Sequence, residues 1–210
     1  RGIVEKRVAG LRVTGQQSLG VVEAVLCASV NKALVRGLCA LGVSAVGVSG
    51  EDGPTLVAHT APPIDGESLG FVGEIVHVQP TLVEVLLSYE FFPVVAPLGV
   101  AEDGSTAYNI NGDTAAGALA GALGADAFVA VTDVPKIRRN VADPATAVDR
   151  IARSEIETWR AQGLLAGGML PKVDGALEAL RRGAKRAIIA GAGPRAVRRA
   201  LAGEGTEITP

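Results

Sequence analysis

Apolar residues recur at helical spacing through residues 18–41, where Leu19, Val22, Leu26, Val30, Ala33, Leu34, Leu38 and Leu41 mark one stripe. Gly42 follows, at the position where a helix C-terminus favours glycine. Residues 44–48 form a short apolar run of buried-strand type, and the turn cluster of residues 49–54 closes it. The pattern then predicts antiparallel strands over 55–60 and 71–78, a helix over 81–88 and a buried strand over 93–98. A small-residue helix over 115–123 and a strand over 127–131 come next. Residues 138–149 read as a charged loop. Helices are expected over 154–162, with Ser154 and Glu157 as a capping box, over 173–182, and, short and basic, over 194–201. A last buried strand covers 186–190. No apolar run reaches the roughly 20 residues that a membrane helix needs, and no signal peptide is visible.

Residues 108–117 read YNINGDTAAG and stand between the strand at 93–98 and the small-residue helix. Asn109 and Asn111 alternate on one side of an extended segment, so both amides and the Asp113 carboxylate can converge on one small space. A capped helix alone would also account for Asp113, which falls where an N-cap or first-turn acid meets the positive end of the helix dipole.

Composition narrows the chemistry. The 210 residues are 48% apolar and 20% charged, enough for one large core or two small ones. With 27 glycines and 3% aromatics, the chain has the tight turns usual in nucleotide-binding α/β proteins. The net charge of -2 hides an asymmetry: 6 Lys/Arg face 14 Asp/Glu before residue 136, and 14 face 8 from there on. A basic C-terminal part suits a polyanion such as a nucleotide. Scarce aromatics and the lack of a dense basic cluster argue against nucleic acid. Cys27 and Cys39 lie about 18 Å apart along one helix, beyond disulfide reach, and read as core thiols. His59 and His77 have no neighbours at metal spacing, so no metal site is expected. Gly-Val-Ser-Gly at 47–50 is only loosely an elbow for a nucleophilic serine. The G-x-G-x-x-A of residues 191–196 lacks the later strand and acid of a dinucleotide fold, which leaves a glycine turn before a helix.

Seven short motifs in order resemble the amino acid kinase family, in its acetylglutamate kinase branch. They are GLRVT at 10–14, VNK at 30–32, VGVSGEDG at 46–53, LGFVGEI at 69–75, YNINGDTAAGA at 108–118, TDVP at 132–135 and GGMLPK at 167–172. The resemblance implies an α/β fold, a three-layer αβα sandwich with a largely parallel central sheet. It implies an amino-acid-substrate lobe over 1–125 and a nucleotide-binding lobe over 126–210. It also implies a cytoplasmic homodimer or higher homo-oligomer, and ATP-dependent phosphorylation of the side-chain carboxylate of N-acetyl-L-glutamate, a small-molecule substrate, in arginine biosynthesis. By the same resemblance Arg12, Asn109 and Asn111 hold the substrate, and Lys172 and Asp113 are catalytic. Thr132, Asp133, Val134, Gly167, Gly168 and Met169 line ATP, whose phosphates hold Mg2+. The residue types fit these roles. Arg12 offers a planar donor fork for a carboxylate, and Lys172, after a double glycine at a helix start, offers charge beside helix N-terminal amides.

The sequence departs from the family pattern at several points. The family's Gly-rich phosphate loops, with a lysine, would lie upstream of Arg1, so the N-terminal part is expected to be missing and turnover of the 210 residues alone to be negligible. Lys136 stands where the family usually has glycine, and Gly112 where alanine is more usual. Residues 195–210 match poorly, which bears on arginine feedback. Two other readings remain open: a carrier-protein-linked aminoadipate or glutamate kinase of lysine biosynthesis, and a non-catalytic ligand-binding remnant of the family.

Overall fold

A computed structural model describes residues 7, 8, 11–140, 142–165 and 167–209, with 7, 8, 11 and 12 described in backbone alone. The chain divides between Ala115 and Ala116 into two compact units.

The first unit opens with β1 (Arg7–Val8) and β2 (Leu11–Arg12), an antiparallel pair in which Arg7 faces Arg12. A continuous helix follows, built from α1 (Gln16–Glu23), a π-helical stretch (Ala24–Val30) and α2 (Asn31–Ala40). Its 25 residues, with a mean hydropathy of 1.5 in the most apolar window, are long and apolar enough to cross a membrane. No unbroken apolar run reaches the expected membrane-spanning length, because Glu23, Lys32 and Arg36 interrupt the stretch. Two polar residues bind this helix to the strands. Asn31 is buried, and its Nδ2 donates to Val48 O at 3.1 Å and Val94 O at 2.8 Å; Lys32 Nζ donates to Gly47 O at 2.8 Å.

The apolar stripe of this helix is largely uncovered among the described residues. Leu19 is buried, but Leu34 is 54% and Leu41 81% exposed. Cys39 is likewise exposed and Cys27 half-buried, so the thiols are not core residues. Gly42, with φ +82°, ends the helix as expected.

β3 (Ala45–Ser49) pairs in parallel with β6 (Phe92–Ala96), residue 45 facing 92. Between them in sequence lie β4 (Leu56–Thr60), β5 (Gly73–Val78) and α3 (Thr81–Ser88). β7 (Leu98–Val100) and β8 (Ala107–Asn109) complete a second sheet of order β5-β4-β7-β8.

The second unit receives the chain from α4 (Gly112–Ala122) and continues with β9 (Phe128–Thr132), β10 (Arg150–Ala152), α5 (Arg153–Ala161) and α6 (Met169–Arg182). β11 (Ala187–Gly191), α7 (Ala196–Leu201) and β12 (Thr206–Thr209) end it. The sheet order is β10-β12-β11-β9. Side-chain alternation along β11 separates two faces. Ala187 and Ile189 pack with Val173, Ala176 and Ala179 of α6, while Ile188 and Ala190 pack with Ala200 of α7. That is a three-layer α/β/α arrangement, as expected. The sheets are mixed: β9–β11, β10–β12, β3–β6 and β4–β7 are parallel, whereas β11–β12, β4–β5 and β7–β8 are antiparallel.

Two local expectations fail for definable reasons. The N-cap of α5 is Ala152, not Ser154, and Glu155 rather than Glu157 reaches back to it, accepting from Ala152 N–H at 3.4 Å. Glu157 pairs with Arg153 instead. β12 is a strand the pattern did not announce, because Ile208 is the single apolar residue in its four.

Late in α6, Glu178 takes both Arg181 and Arg182. Arg181 Nε and Nη2 donate at 2.7 Å each to the two carboxylate oxygens, and Arg182 Nε joins them. Chiefly the Arg181 hydrogen bonds, and then Arg182, hold this carboxyl at about 2 against the opposing effect of burial. A depressed folded pKa contributes stability that is complete above the ordinary carboxylate range and fades as pH falls from about 4.5 towards about 2. Glu178→Gln is therefore expected to lower unfolding free energy near neutrality by roughly 1 kcal/mol, after discounting for solvent screening, and to flatten the loss below pH 4.5. Chemical denaturation at a series of pH values measures this; an unchanged acid limb would refute it.

Candidate active site

In the first unit the singled-out residues gather at the carboxyl ends of the parallel strands β3 and β6. Gly50 N–H donates to Ala96 O at 3.1 Å, and a side chain at Gly50 would put Cβ 2.0 Å from Leu98 O, so only glycine fits there. Ser49 is buried in this turn, its N–H and Oγ both bonded to Asp52, which leaves it a structural residue rather than a nucleophile. Burial pushes the neighbouring Glu51 carboxyl up, with Glu23 and Asp52 adding to the effect. Ile110 N–H donates to Pro97 O at 3.0 Å, which brings the segment after β8 to the same strand end.

That segment behaves as its alternation implied. Tyr108 and Ile110 are buried, while Asn109, Asn111 and Asp113 are half-buried. Asn109 Nδ2 donates to the buried Thr14 Oγ1 at 3.0 Å, tying β8 to the chain just after β2. Thr14 is locked in turn, donating to Leu69 O and accepting from Phe71 N–H; a Cβ on Gly70 (φ +67°) would sit 2.3 Å from Thr14 O. Asn111, not Asp113, caps α4: its Oδ1 accepts from Asp113 N–H at 2.9 Å and Thr114 N–H at 3.1 Å. Asp113 is the first-turn acid beside it. Arg12 lies in β2, opposite Arg7, and its side chain falls outside the described residues, as does Gly10.

In the second unit a cavity of about 430 Å³ opens beyond the carboxyl end of β9. It is lined by Thr132, Asp133 and Val134, by Gly168, Met169 and Lys172 at the start of α6, and by five residues that the motifs did not identify as site residues: Lys136, Ile137, Arg138, Leu164 and Leu165. Gly167 is not among them, although its φ of +59° makes the turn into α6. Pro171 occupies the first turn of α6, where no backbone donor is required, and Lys172 follows it. The loop over 132–137 is fixed at both ends. Gly191 lies so close to Pro135 that a Cβ would be 2.9 Å from it, and Ala192 N–H donates to Thr132 O at 2.7 Å. Ile137 N–H donates to the buried Thr206 Oγ1 at 2.9 Å, so β12 helps to hold the cavity wall. The glycine turn of 191–193 is thus a packing feature of this wall. Three cations against one acid, Asp133, with helix N-terminal amides and apolar walls, suit a nucleotide polyphosphate and its base. Among the described residues no cluster of three or more metal-type side chains exists.

The amino acid kinase family profile matches residues 1–191. The acetylglutamate kinase of Methanopyrus kandleri is 44% identical over 191 residues, covering 90% of this chain and 77% of that enzyme. The acetylglutamate kinase of Brevibacillus brevis is 46% identical over 188 residues, 89% of this chain and 69% of that enzyme. Among solved structures, N-acetylglutamate synthase from Neisseria gonorrhoeae, complexed with coenzyme A and N-acetyl-glutamate, superposes with a TM-score of 0.83 at 24% identity. It covers 100% of this chain and 47% of its own, a likeness of fold. By motif order, fold and relatives, the chain belongs to the amino acid kinase family.

Proposed function

We propose that this chain catalyses transfer of the γ-phosphoryl group of ATP to the side-chain carboxylate of N-acetyl-L-glutamate, the acetylglutamate kinase reaction of arginine biosynthesis. The observation that carries the reading is the cation-lined cavity at the carboxyl end of β9, in a chain 44–46% identical to acetylglutamate kinases over most of its length. A carboxylate oxygen of the substrate attacks phosphorus, the bond from phosphorus to the β-phosphate oxygen breaks, and ADP leaves with that electron pair. Such transfer needs positioning and charge rather than covalent help from the protein.

The first unit supplies the amino acid side: the Arg12 fork for a carboxylate, the Asn109 and Asn111 amides for the acetylated amino acid, and Asp113 to orient catalytic cations. The second supplies the nucleotide side, through Thr132, Asp133, Val134, Gly167, Gly168 and Met169, with Lys172 stabilising the charge that spreads over the transferring group. The lobes take residues 1–125 and 126–210. Mg2+ would be held mainly by the nucleotide phosphates, with Asp133 the one carboxylate in the cavity wall. The enzyme is proposed to be cytoplasmic and a homodimer or higher homo-oligomer. The exposed apolar residues Val30, Leu34 and Leu41 along one helix support association, and a monomer in sedimentation equilibrium at micromolar concentration would refute it.

The reading is tested by trapping the acyl phosphate with hydroxylamine, with N-acetylglutamate, glutamate and aminoadipate compared. Assayed in the full-length protein, ATP-dependent hydroxamate is expected with N-acetylglutamate, and its absence, or a preference for aminoadipate, would overturn the assignment. Lys172→Ala should mainly lower kcat, by on the order of 10²–10³, whereas a raised KM for ATP at unchanged kcat would make Lys172 a ground-state anchor. Arg12→Ala should raise the KM for the amino acid about 10- to 150-fold, as loss of a charge-assisted pair does. An unaltered amino acid KM would place the substrate elsewhere.

A further inference from the structure

The cavity wall holds a cation that the sequence motifs do not use. Lys136 lines the cavity together with Arg138 and Lys172, yet its ammonium is paired with Asp149, which lies outside the wall. The two partners are unequally placed: the Lys136 side chain is 34% exposed and that of Asp149 77%. A pair with so exposed an acid contributes little and is readily exchanged.

We propose that Lys136 is a phosphate ligand of this cavity, and that its ion pair with Asp149 gives way to the nucleotide's phosphates when ATP binds. The inference rests on the reading of the cavity as a nucleotide site. Two features make the exchange local. The backbone on either side of Lys136 is pinned, by Pro135 against Gly191 and by Ile137 N–H on Thr206 Oγ1. The four-carbon stem between these anchors is flexible, and its compact ammonium can turn from one anion to another without moving the loop. The incoming acceptor is also the stronger one. A polyphosphate offers several charged oxygens in a partly desolvated space, where charge-assisted hydrogen bonds are short and strong, while Asp149 offers one carboxylate in water. Asp149 thus serves as a stand-in anion that keeps the side chain ordered next to the site.

The alternative is a simple tether, in which the pair fastens the 132–137 loop to the chain before β10. The two roles differ in what loss of each partner does. Equilibrium titration of the full chain with ATP and, separately, with adenosine, both in the presence of magnesium, is expected to show Lys136→Met binding ATP roughly 10-fold or more weakly. Its adenosine affinity should stay within about twofold of the unaltered protein. Lys136→Arg should retain most of the ATP affinity, and Asp149→Asn, which breaks the same ion pair, should leave ATP binding unchanged or tighter. Equal weakening by Lys136→Met and Asp149→Asn would establish the tether and overturn the proposal. So would an unchanged ATP affinity in Lys136→Met, or an equal loss for adenosine. Failure of the unaltered chain to bind ATP at all would overturn the nucleotide reading itself, an outcome distinct from the other three.

Discussion

Two glycines facing each other across a helix crossing set the geometry of the second unit. A Cβ on Gly117 of α4 would lie 2.1 Å from the carbonyl oxygen of Gly175 in α6, and one turn on, a Cβ on Gly121 would lie 2.2 Å from Arg182 Cβ. The helices therefore touch backbone to backbone along one face of α4. The opposite requirement acts on α6 from the sheet, where Val173, Ala176 and Ala179 are fully buried. Held between these contacts, α6 has little freedom to slide or roll, because packed interiors admit only discrete arrangements. That restraint helps to place its first turn, where Met169 and Leu170 also pack against the core.

The two units solve the same problem in the same way. Each has a parallel strand pair, β3–β6 in one and β9–β11 in the other, and each collects its polar residues just beyond the carboxyl ends. Parallel strands leave their chain ends at one edge, and the loops that leave them diverge, which opens the crevice that α/β folds use for ligands. The difference lies in charge. The described polar side chains beyond the strand ends of the first unit, Asn109, Asn111, Asp113, Asp52 and Glu51, are amides and carboxylates, whereas the cavity wall of the second is mainly cationic.

Much of this was legible in the sequence where one local signal dominated. The helix Thr81–Ser88 starts after Pro80 and has the expected bounds, and Glu90, two residues on with a φ of +61°, closes the turn. The alternation of Asn109, Ile110 and Asn111 between half-buried and buried positions follows directly from strand geometry. Signals that depend on a partner were lost. The helical stripe at Leu34 and Leu41 predicted burial, but periodicity reports that a face is apolar, not that something covers it. The cavity was half-legible for the same reason. Thr132, Asp133 and Met169 sit in motifs, whereas Ile137, Leu164 and Leu165 are ordinary apolar residues until the fold brings them to one wall. Lys136 was visible only as a departure from a pattern.

The π-helical stretch between α1 and α2 has a consequence in phase. An α-helix advances about 100° per residue, whereas a π-helix, at roughly 4.4 residues per turn, advances about 82°. Leu19 and Asn31, the two buried residues of this long helix, would stand about 120° apart in azimuth if the helix were α throughout. Seven residues of π geometry remove nearly that angle and return both to the same side. The stretch therefore absorbs close to one surplus residue. A chain one residue shorter there could run as plain α-helix and still aim Asn31 at the strands, where its hydrogen bonds to Val48 and Val94 hold the helix in register.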